Sequence, residues 1–466
     1  MKNSINEILK VINRIHEKNA VIIGDIILDE YIYGMVNKVS TGIQIPIIEK
    51  KSVEYRLGGA ANVAANVAGL CGNTTLVGRC ANDDAGNTVK KICSSNNINL
   101  ENFETDKTTV KQRIYIDNQQ VSRIDSIAYT EAITGELMST ILSQPIDLVI
   151  IADYLYGVIS QELLDFISSF CKKKGIPLFY TSRDLNRFEI SDYPIVVVNA
   201  NEWNQWEKSS KCEKAFITKG KDGICYKCGI KNVERKANKK YPINVSGAGD
   251  TVLATISAFY GEQNITGDNI LLASNLAGEL AVENELTYVL SKYDLVDALF
   301  EQWILEDSIN KIVDISLAKD IVSAWKQKGE VIVFTNGCYD LLHLGHIKSF
   351  QYAKKYGDKL VVAVNSDASI RRLKGNGRPI NNFEERINTL AYLSMIDLVI
   401  GFDEDTAINV IKVIEPDTYI KGEEYKHKKL VEAEYVNNVE YVPMIEGTST
   451  TQLIKKIYEA VEIDGK

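Results

Sequence analysis

Thr335-Asn336-Gly337-Cys338-Tyr339-Asp340-Leu341-Leu342-His343-Leu344-Gly345-His346 follows the apolar run Val331–Phe334 and precedes a stretch, Ile347–Tyr356, that reads as a helix. The chain has four histidines, His16, His343, His346 and His427, and two of them fall at i and i+3 in this segment. A strand, an Asn-Gly turn and a helix in this order place both imidazoles near a helix N-terminus. Backbone N–H groups and the helix dipole favour phosphate there. Gly345 lets a phosphate-bearing ligand come close to the backbone. Two histidines of a hydrophobic core would explain the imidazoles but not the strand, turn and helix around them.

The same grammar repeats on both sides of this segment. Ala20–Ile23 ends in Gly24-Asp25, Leu148–Ala152 in Asp153, and Ile195–Val198 in Asn199. Ala215–Thr218 leads to Gly220, and Leu360–Val364 ends in Asn365-Ser366-Asp367. Continuous apolar strands with polar C-terminal ends are what a parallel sheet covered by helices requires. The expected fold class is therefore α/β. Ligands in such sheets sit outside the carboxyl ends of the strands.

Length and composition bound the rest. The 466 residues predict two or three domains. With 45% apolar and 25% charged residues, full hydrophobic cores are expected. A net charge of −9 argues against a dedicated nucleic-acid binder, which needs a basic face. The opening stretch carries charges throughout, unlike a signal peptide. There is no run of 18 apolar residues, so no membrane span is expected. The eight cysteines are scattered, with one close pair at Cys225 and Cys228. A strand or hairpin with two reduced thiols is the expectation there, because no second ligand pair accompanies them. No protein metal site is read from the sequence, and a cytoplasmic location is expected.

The stretch Ser291–Gly329 reads as helices. It divides the chain into one domain at 1–300, a helical connector at 301–329 and a second domain at 330–466. The basic run Lys231–Lys240 reads as a solvated hairpin.

In the second domain the HxGH segment resembles the cytidylyltransferase-like superfamily of nucleotidyltransferases. Further pieces follow in that superfamily's order: Arg371–Gly375 with Arg378-Pro379-Ile380 as a basic loop, Glu385-Arg386 opening a helix, Lys421-Gly422 after a strand, and Gly447–Thr451 before a helix at Gln452–Tyr458. The resemblance implies a Rossmann-like parallel sheet. It implies transfer of a nucleoside monophosphate to a phosphorylated substrate, with release of pyrophosphate. His343 and His346 would donate to the phosphorus oxygens, and Lys374 or Arg378 would stabilise the leaving pyrophosphate. Thr335, Asn336, Gly337, Ser449, Thr450 and Thr451 would line the nucleotide site. Asp340, Lys421 and Gly422 would face the substrate. Mg²⁺ would bridge phosphates.

In the first domain three features converge. They are Gly58-Gly59-Ala60-Ala61-Asn62, Asn199-Ala200-Asn201-Glu202, and Ser246-Gly247-Ala248-Gly249-Asp250-Thr251 before the apolar helix Val252–Tyr260. The Gly-Ala-Gly turn offers backbone N–H groups to a transferring phosphoryl group. Asp250 beside it is suited to accept a hydroxyl proton. The trio resembles the ribokinase family of sugar kinases, whose α/β domain carries a small β-lid. The resemblance implies Asp250 as catalytic base and Asp29, Gly58, Gly59, Asn62 and Arg113 as substrate residues. It implies Asn199, Ala200, Asn201, Glu202, Thr218, Gly220, Gly247, Ala248 and Gly249 at the ATP site. It also implies dimerisation through the lid, with Ile43–Tyr55 and Lys111–Ile124 as its candidates.

A ribokinase-like domain fused ahead of an HxGH domain resembles the bifunctional heptose-phosphate kinases and adenylyltransferases of ADP-heptose synthesis. That resemblance implies phosphorylation of O1 of a heptose 7-phosphate by ATP, then transfer of AMP to heptose 1-phosphate. Small-molecule substrates, ATP and Mg²⁺, and a homodimer are the implied partners. The first domain departs from this pattern at Ser40–Gln44, at Tyr156, at Thr181-Ser182-Arg183 where Asp-Pro-Lys is usual, at Asn244 where aspartate is usual, and at Glu283–Thr287. An active kinase with a different sugar preference and a weakened, scaffolding kinase-like half are both open on these residues.

Overall fold

Strand Asn19–Gly24 is buried from Ala20 onward. It pairs in parallel with Asn73–Gly78 on one side and Leu148–Asp153 on the other. A strand apolar on both faces needs cover on both, and helices supply it. The computed structural model describes residues 4–117, 119–209, 212–238 and 242–443, with 453, 454 and 459. It divides into two units, Met1–Leu295 and Val296–Lys466.

Among the described residues the first unit is built on a nine-stranded sheet. In spatial order its strands are Lys231–Arg235, Ile224–Cys228, Lys214–Thr218, Ile195–Asn199, Leu178–Ser182, Leu148–Asp153, Asn19–Gly24, Asn73–Gly78 and Ile98–Asn102. Only the first two, at one edge, run antiparallel to their neighbours. Leu163, Leu164 and Ile167 of helix Gln161–Lys174 pack with Val149 and Ile151 in the core. That helix starts where Ser160 accepts a bond from the Leu163 N–H and ends at Gly175 in the left-handed conformation. Helices Ala60–Cys71, Ala248–Phe259 and Gly267–Val282 are largely buried, as their small and aliphatic residues allow. Asp153, Ser182, Asn199 and Thr218 all stand at carboxyl ends of parallel strands.

A second sheet of four strands, ordered Pro46–Gly59, Ile26–Val39, Thr109–Ile116 and Gln119–Ser126, forms the lid. The expected lid segments belong to it, together with Ile26–Val39. That strand is buried at its start and exposed at its end. Cys225 and Cys228 lie on Ile224–Cys228, the second strand from one edge of the nine-stranded sheet. Three residues apart on a strand, they point to opposite faces.

The second unit holds an all-parallel six-stranded sheet ordered Ile312–Val313, Leu398–Phe402, Lys359–Asn365, Ile332–Gly337, Thr418–Gly422 and Asn438–Val442. Ile312–Val313 was expected to be helical and is instead an edge strand beside Leu398–Phe402. Two residues are too few for any periodicity to show. The helix after the HxGH turn begins at Leu344 rather than Ile347 and ends at Ala353. Ser449, Thr450 and Thr451 lie outside the described residues, as does most of the expected Gln452–Tyr458 helix. Among the described residues, no helix is long and apolar enough to cross a membrane.

Candidate active sites

Asp250 sits in the first turn of helix Ala248–Phe259, whose N-cap Gly247 has φ +82°. A Cβ at Gly247 would come within 2.8 Å of Thr287 Cγ2 and 2.9 Å of Asn62 Nδ2, so glycine is required twice over. The Asp250 carboxylate accepts a 2.6 Å bond from the Tyr154 hydroxyl on Oδ1 and a 2.7 Å bond from Asn62 Nδ2 on Oδ2. Burial raises its pKa above the usual carboxylate range, while the Tyr154 and Asn62 bonds and the charges of Arg183 and Lys111 pull it back. Asn62 is itself held from behind, since Asn66 Nδ2 donates to its carbonyl at 2.9 Å.

Asp29, on the lid strand Ile26–Val39, is buried and paired with Arg113 at 3.2 Å. Arg113 also donates to Ser246 Oγ at 3.1 Å, which ties the lid to the turn before Asp250. Burial raises the Asp29 pKa, opposed by Arg113 and Lys111 and reinforced by Asp250. A Cβ at Gly58 would lie 2.6 Å from Asp29 Oδ2, so the carboxylate needs glycine across the ladder. Asp29, Gly58, Asn62, Arg113 and Asp250 are thus linked by direct contacts, with Arg113 and Ser246 joining the Asp29 group to the turn that carries Asp250.

A cavity of about 510 Å³ opens beside Asp250. Asn199, Glu202, Thr218, Gly220, Gly247, Ala248 and Gly249 line it. Ser274, fully buried on helix Gly267–Val282, also lines it, and its hydroxyl has no hydrogen-bond partner among the described residues. Asn199 and Glu202 form a reciprocal capping box. Asn199 Oδ1 accepts from the Asn201 and Glu202 N–H groups, and Glu202 Oε2 accepts from the Asn199 N–H. The spacing read as a ligand motif is therefore also a local folding signal. Ala200 and Asn201 belong to that short helix and are not among the residues lining the cavity.

The departures from the family pattern have local partners. Asn244 donates from Nδ2 to the Glu285 carbonyl at 2.9 Å and accepts the Ser246 N–H on Oδ1 at 2.8 Å. A carboxylate could not make the first of these bonds. Arg183 lies over the Tyr154 ring, 5.6 Å from its centroid, and keeps a cation facing Asp250. The Lys111 ammonium lies 5.6 Å from the centre of the Tyr156 ring. The Thr287 hydroxyl bonds the buried Tyr31 hydroxyl at 2.6 Å. Ser40–Gln44 closes as a tight turn, with the Gln44 N–H donating to the Ser40 carbonyl at 3.0 Å.

Sequence reading missed Asp25, Tyr154 and Lys111. Asp25 is buried and accepts the backbone N–H groups of Tyr154, Tyr156 and Val158, and so shapes the loop that carries Tyr154. Its place after the first strand was a signal. The long-range partners were not.

In the second unit His343 is the N-cap of helix Leu344–Ala353 and His346 lies in its first turn. Their rings stack with centroids 3.9 Å apart. Burial lowers the pKa of both. That of His346 falls to about 4 through burial and the nearby His343 and Lys374. Thr335 and Asn336 end the central strand. Thr335 Oγ1 donates to the Ile420 carbonyl at 3.0 Å, and Asn336 Oδ1 accepts from the Tyr419 hydroxyl at 2.6 Å. Gly337 closes that strand, and Gly422 closes Thr418–Gly422, which lies between the central strand and the edge strand Asn438–Val442. Lys421, on Thr418–Gly422, lies between the Tyr419 and Tyr425 rings. Burial pushes its pKa down to about 8.

Asp340 has its carboxylate engaged within the protein. Oδ1 accepts the Ile380 and Asn381 N–H groups and Oδ2 accepts from Arg378 at 2.7 Å. It anchors the basic loop and positions Arg378. Arg386, which sequence reading noted only as part of a helix start, is fully buried. It donates to the Cys338, Asn365 and Asn381 carbonyls and to Asp367. One side chain thereby ties the HxGH turn to the end of the neighbouring strand.

Residues 18–291 match the pfkB family of carbohydrate kinases, and residues 334–460 match the cytidylyltransferase-like family. The Bifunctional protein HldE of Koribacter versatilis is 32% identical, covering 98% of this chain and 100% of that protein. The Bifunctional protein HldE of Campylobacter concisus is 32% identical over 96% of this chain and 98% of that one. The counterpart of Sulfurimonas denitrificans is 30% identical over 94% of this chain and 96% of that one. Both family segments and end-to-end similarity to these relatives place the chain in the family of bifunctional HldE proteins, a carbohydrate kinase and a nucleotidyltransferase in one polypeptide.

Proposed function

We propose that the chain catalyses two steps of ADP-heptose synthesis, with the kinase residing in residues 1–300 and the adenylyltransferase in 330–466. In the first step ATP phosphorylates O1 of D-glycero-D-manno-heptose 7-phosphate. The O1 proton passes to Asp250 as the O1–P bond forms and the bond from the γ-phosphorus to the bridging oxygen breaks, leaving ADP. In the second step a phosphate oxygen of heptose 1-phosphate attacks the α-phosphorus of ATP and pyrophosphate leaves. The observation that carries the reading is Asp250 held by Asn62 and Tyr154 at a glycine turn, on the edge of a cavity of about 510 Å³.

The cavity suits a nucleotide. Backbone N–H groups at Gly247–Gly249 cradle phosphate, and the unpartnered Ser274 hydroxyl awaits a polar group. Mg²⁺ would arrive on the triphosphate and spread its charge. Among the described residues no group of three or more His, Cys, Asp or Glu could hold a metal ion alone. Glu202 and Asn199 are the polar residues of the cavity suited to face that ion. In the second unit, neutral His343 and His346 donate to the phosphorus oxygens while Lys374, Arg378 and Lys421 supply positive charge.

Small molecules are the substrates, and a homodimer forms through the lid. Ile43, Ile45, Ile47, Val121 and Ile124 are exposed there, apolar surface that a second copy would cover. The cytoplasm, where ATP is supplied, is the proposed location. The deciding experiment incubates the full chain with ATP and heptose 7-phosphate, then with ATP and heptose 1-phosphate. ADP release in the first and pyrophosphate release in the second are expected. Failure of either with those sugars, but turnover with another sugar phosphate, overturns the substrate assignment.

A further inference from the structure

We propose that Tyr154 is a positioning residue of the kinase, its hydroxyl holding Oδ1 of Asp250 so that the carboxylate presents one fixed edge to the sugar hydroxyl. The proposal rests on reading Asp250 as the kinase base. A carboxylate at the end of a short side chain is a broad two-fold rotor. Here its two oxygens are held separately, Oδ1 by Tyr154 at 2.6 Å and Oδ2 by Asn62 at 2.7 Å. The donors come from different elements, the loop after strand Leu148–Asp153 and helix Ala60–Cys71. Two donors on two oxygens fix the carboxylate plane, and each oxygen keeps a further lone pair for the incoming proton.

The phenol is itself over-determined. The Asp25 carboxylate takes the N–H groups of Tyr154, Tyr156 and Val158, and Asp153 Oδ1 takes that of Leu155 at 2.9 Å. Leu155 is held at φ +70°, a left-handed conformation unusual for a branched residue. A Cβ on Gly157, at φ +111°, would meet the Thr130 carbonyl oxygen at 2.1 Å. Arg183 covers the ring from the cavity side. Two buried aspartates and a strained loop together deliver one hydroxyl to Asp250.

The charges around the pair are identifiable. Asp250 faces Tyr154, Arg183, Lys111 and, across the pocket, Asp29. Tyr154 faces Asp250, Arg183 and Asp25. Burial and the neighbouring Asp250 keep the phenol protonated well above its usual range, so it remains a donor. Tyr154→Phe removes the hydroxyl alone and leaves every one of these charges and the ring under Arg183 in place. Losing a donor to the ionised form raises the pKa of the base.

The test is the pH profile of kinase kcat/KM for full-length wild type and Tyr154→Phe, with ATP and heptose 7-phosphate. The expected result is an acid limb moved up by about one pH unit, the size of a lost charge-assisted hydrogen bond. A fall in kcat with the KM for ATP unchanged should accompany it. The position of the limb does not depend on the folded fraction, so partial misfolding cannot imitate the shift. A lower rate with an unmoved limb shows a merely structural tyrosine and overturns the proposal. Carboxyl ¹³C titration, with Asp250→Asn identifying the resonance, reads the same pKa without a substrate. It therefore separates failure of this proposal, an unmoved Asp250 titration in Tyr154→Phe, from failure of the kinase reading, no turnover in wild type.

Discussion

The rings of His343 and His346 stack with centroids 3.9 Å apart and planes inclined by 23°. The Nδ1 atoms of both are buried without a hydrogen-bond partner among the described residues. Two imidazoles stacked this closely would repel strongly if both were charged, and burial favours the neutral form of each by lowering both pKa values. Neutral rings still carry one N–H each, so they can donate to phosphorus oxygens without adding a charge that would hold the product. His346→Ala should lower the rate of pyrophosphate release by about 10²–10³-fold, as loss of one oxyanion donor does. It should leave ADP release by the kinase unchanged, and assaying both half-reactions on one preparation checks this.

The low His346 pKa should set the acid side of the transferase profile. A folded-state pKa near 4 lies below the ordinary value of 6.5, so the neutral ring persists as pH falls through 6.5 and is lost only near 4. The transferase rate should therefore stay flat from pH 7 to about 5 with respect to this group. A fall centred on pH 6.5 that His346→Ala abolishes would show an ordinary, solvent-exposed imidazole.

Lys421 should set the alkaline side. Burial brings its pKa to about 8, so it loses its charge well below the usual lysine range. Transferase kcat/KM should fall as pH rises through about 8. Lys421→Arg, whose guanidinium stays protonated, should remove that limb even if it lowers the plateau. A pH series on the two proteins decides it.

Asp250→Asn should lower kinase turnover by about 10²–10⁴-fold while pyrophosphate release stays at the wild-type rate. Asparagine keeps the shape and can still accept on Oδ1, but its Nδ2 cannot accept the Asn62 donor or a proton. Retention of the wild-type kinase rate would remove Asp250 from the base role.

Arg386→Met should destabilise the second unit by about 3–5 kcal/mol, because it leaves Asp367 and three carbonyls without their buried partner. Calorimetry of the full chain should show one transition moved down, with kinase activity surviving at temperatures where pyrophosphate release is lost.

Most of the chemistry was legible along the chain because it is local. Strand, turn and helix follow one another within a dozen residues, and the backbone groups proposed to bind phosphate lie in the same short segment as the side chains proposed to assist them. So the parallel sheets, the HxGH turn and the Gly247–Asp250 turn could be read from spacing alone. The edge strand Ile312–Val313 could not, since two residues carry no period and only pairing with Leu398–Phe402 makes them a strand.

The primary sequence thus determined the two α/β units and, through the family resemblance, their reaction classes, and it singled out Asp250, His343 and His346 as the candidate catalytic residues. Tertiary structure alone decided what surrounds them. Asn62 reaches Asp250 across 188 positions and Tyr154 across 96. Asp340 is turned inward to hold Arg378, and Arg386 is buried to bind three carbonyls. These relations depend on which strand ends the sheets bring together. A pKa depends on burial and on charges from other elements, and neither has a pattern in a linear chain. The protonation state of each candidate catalytic group is for that reason a property of the fold, while its identity is a property of the sequence.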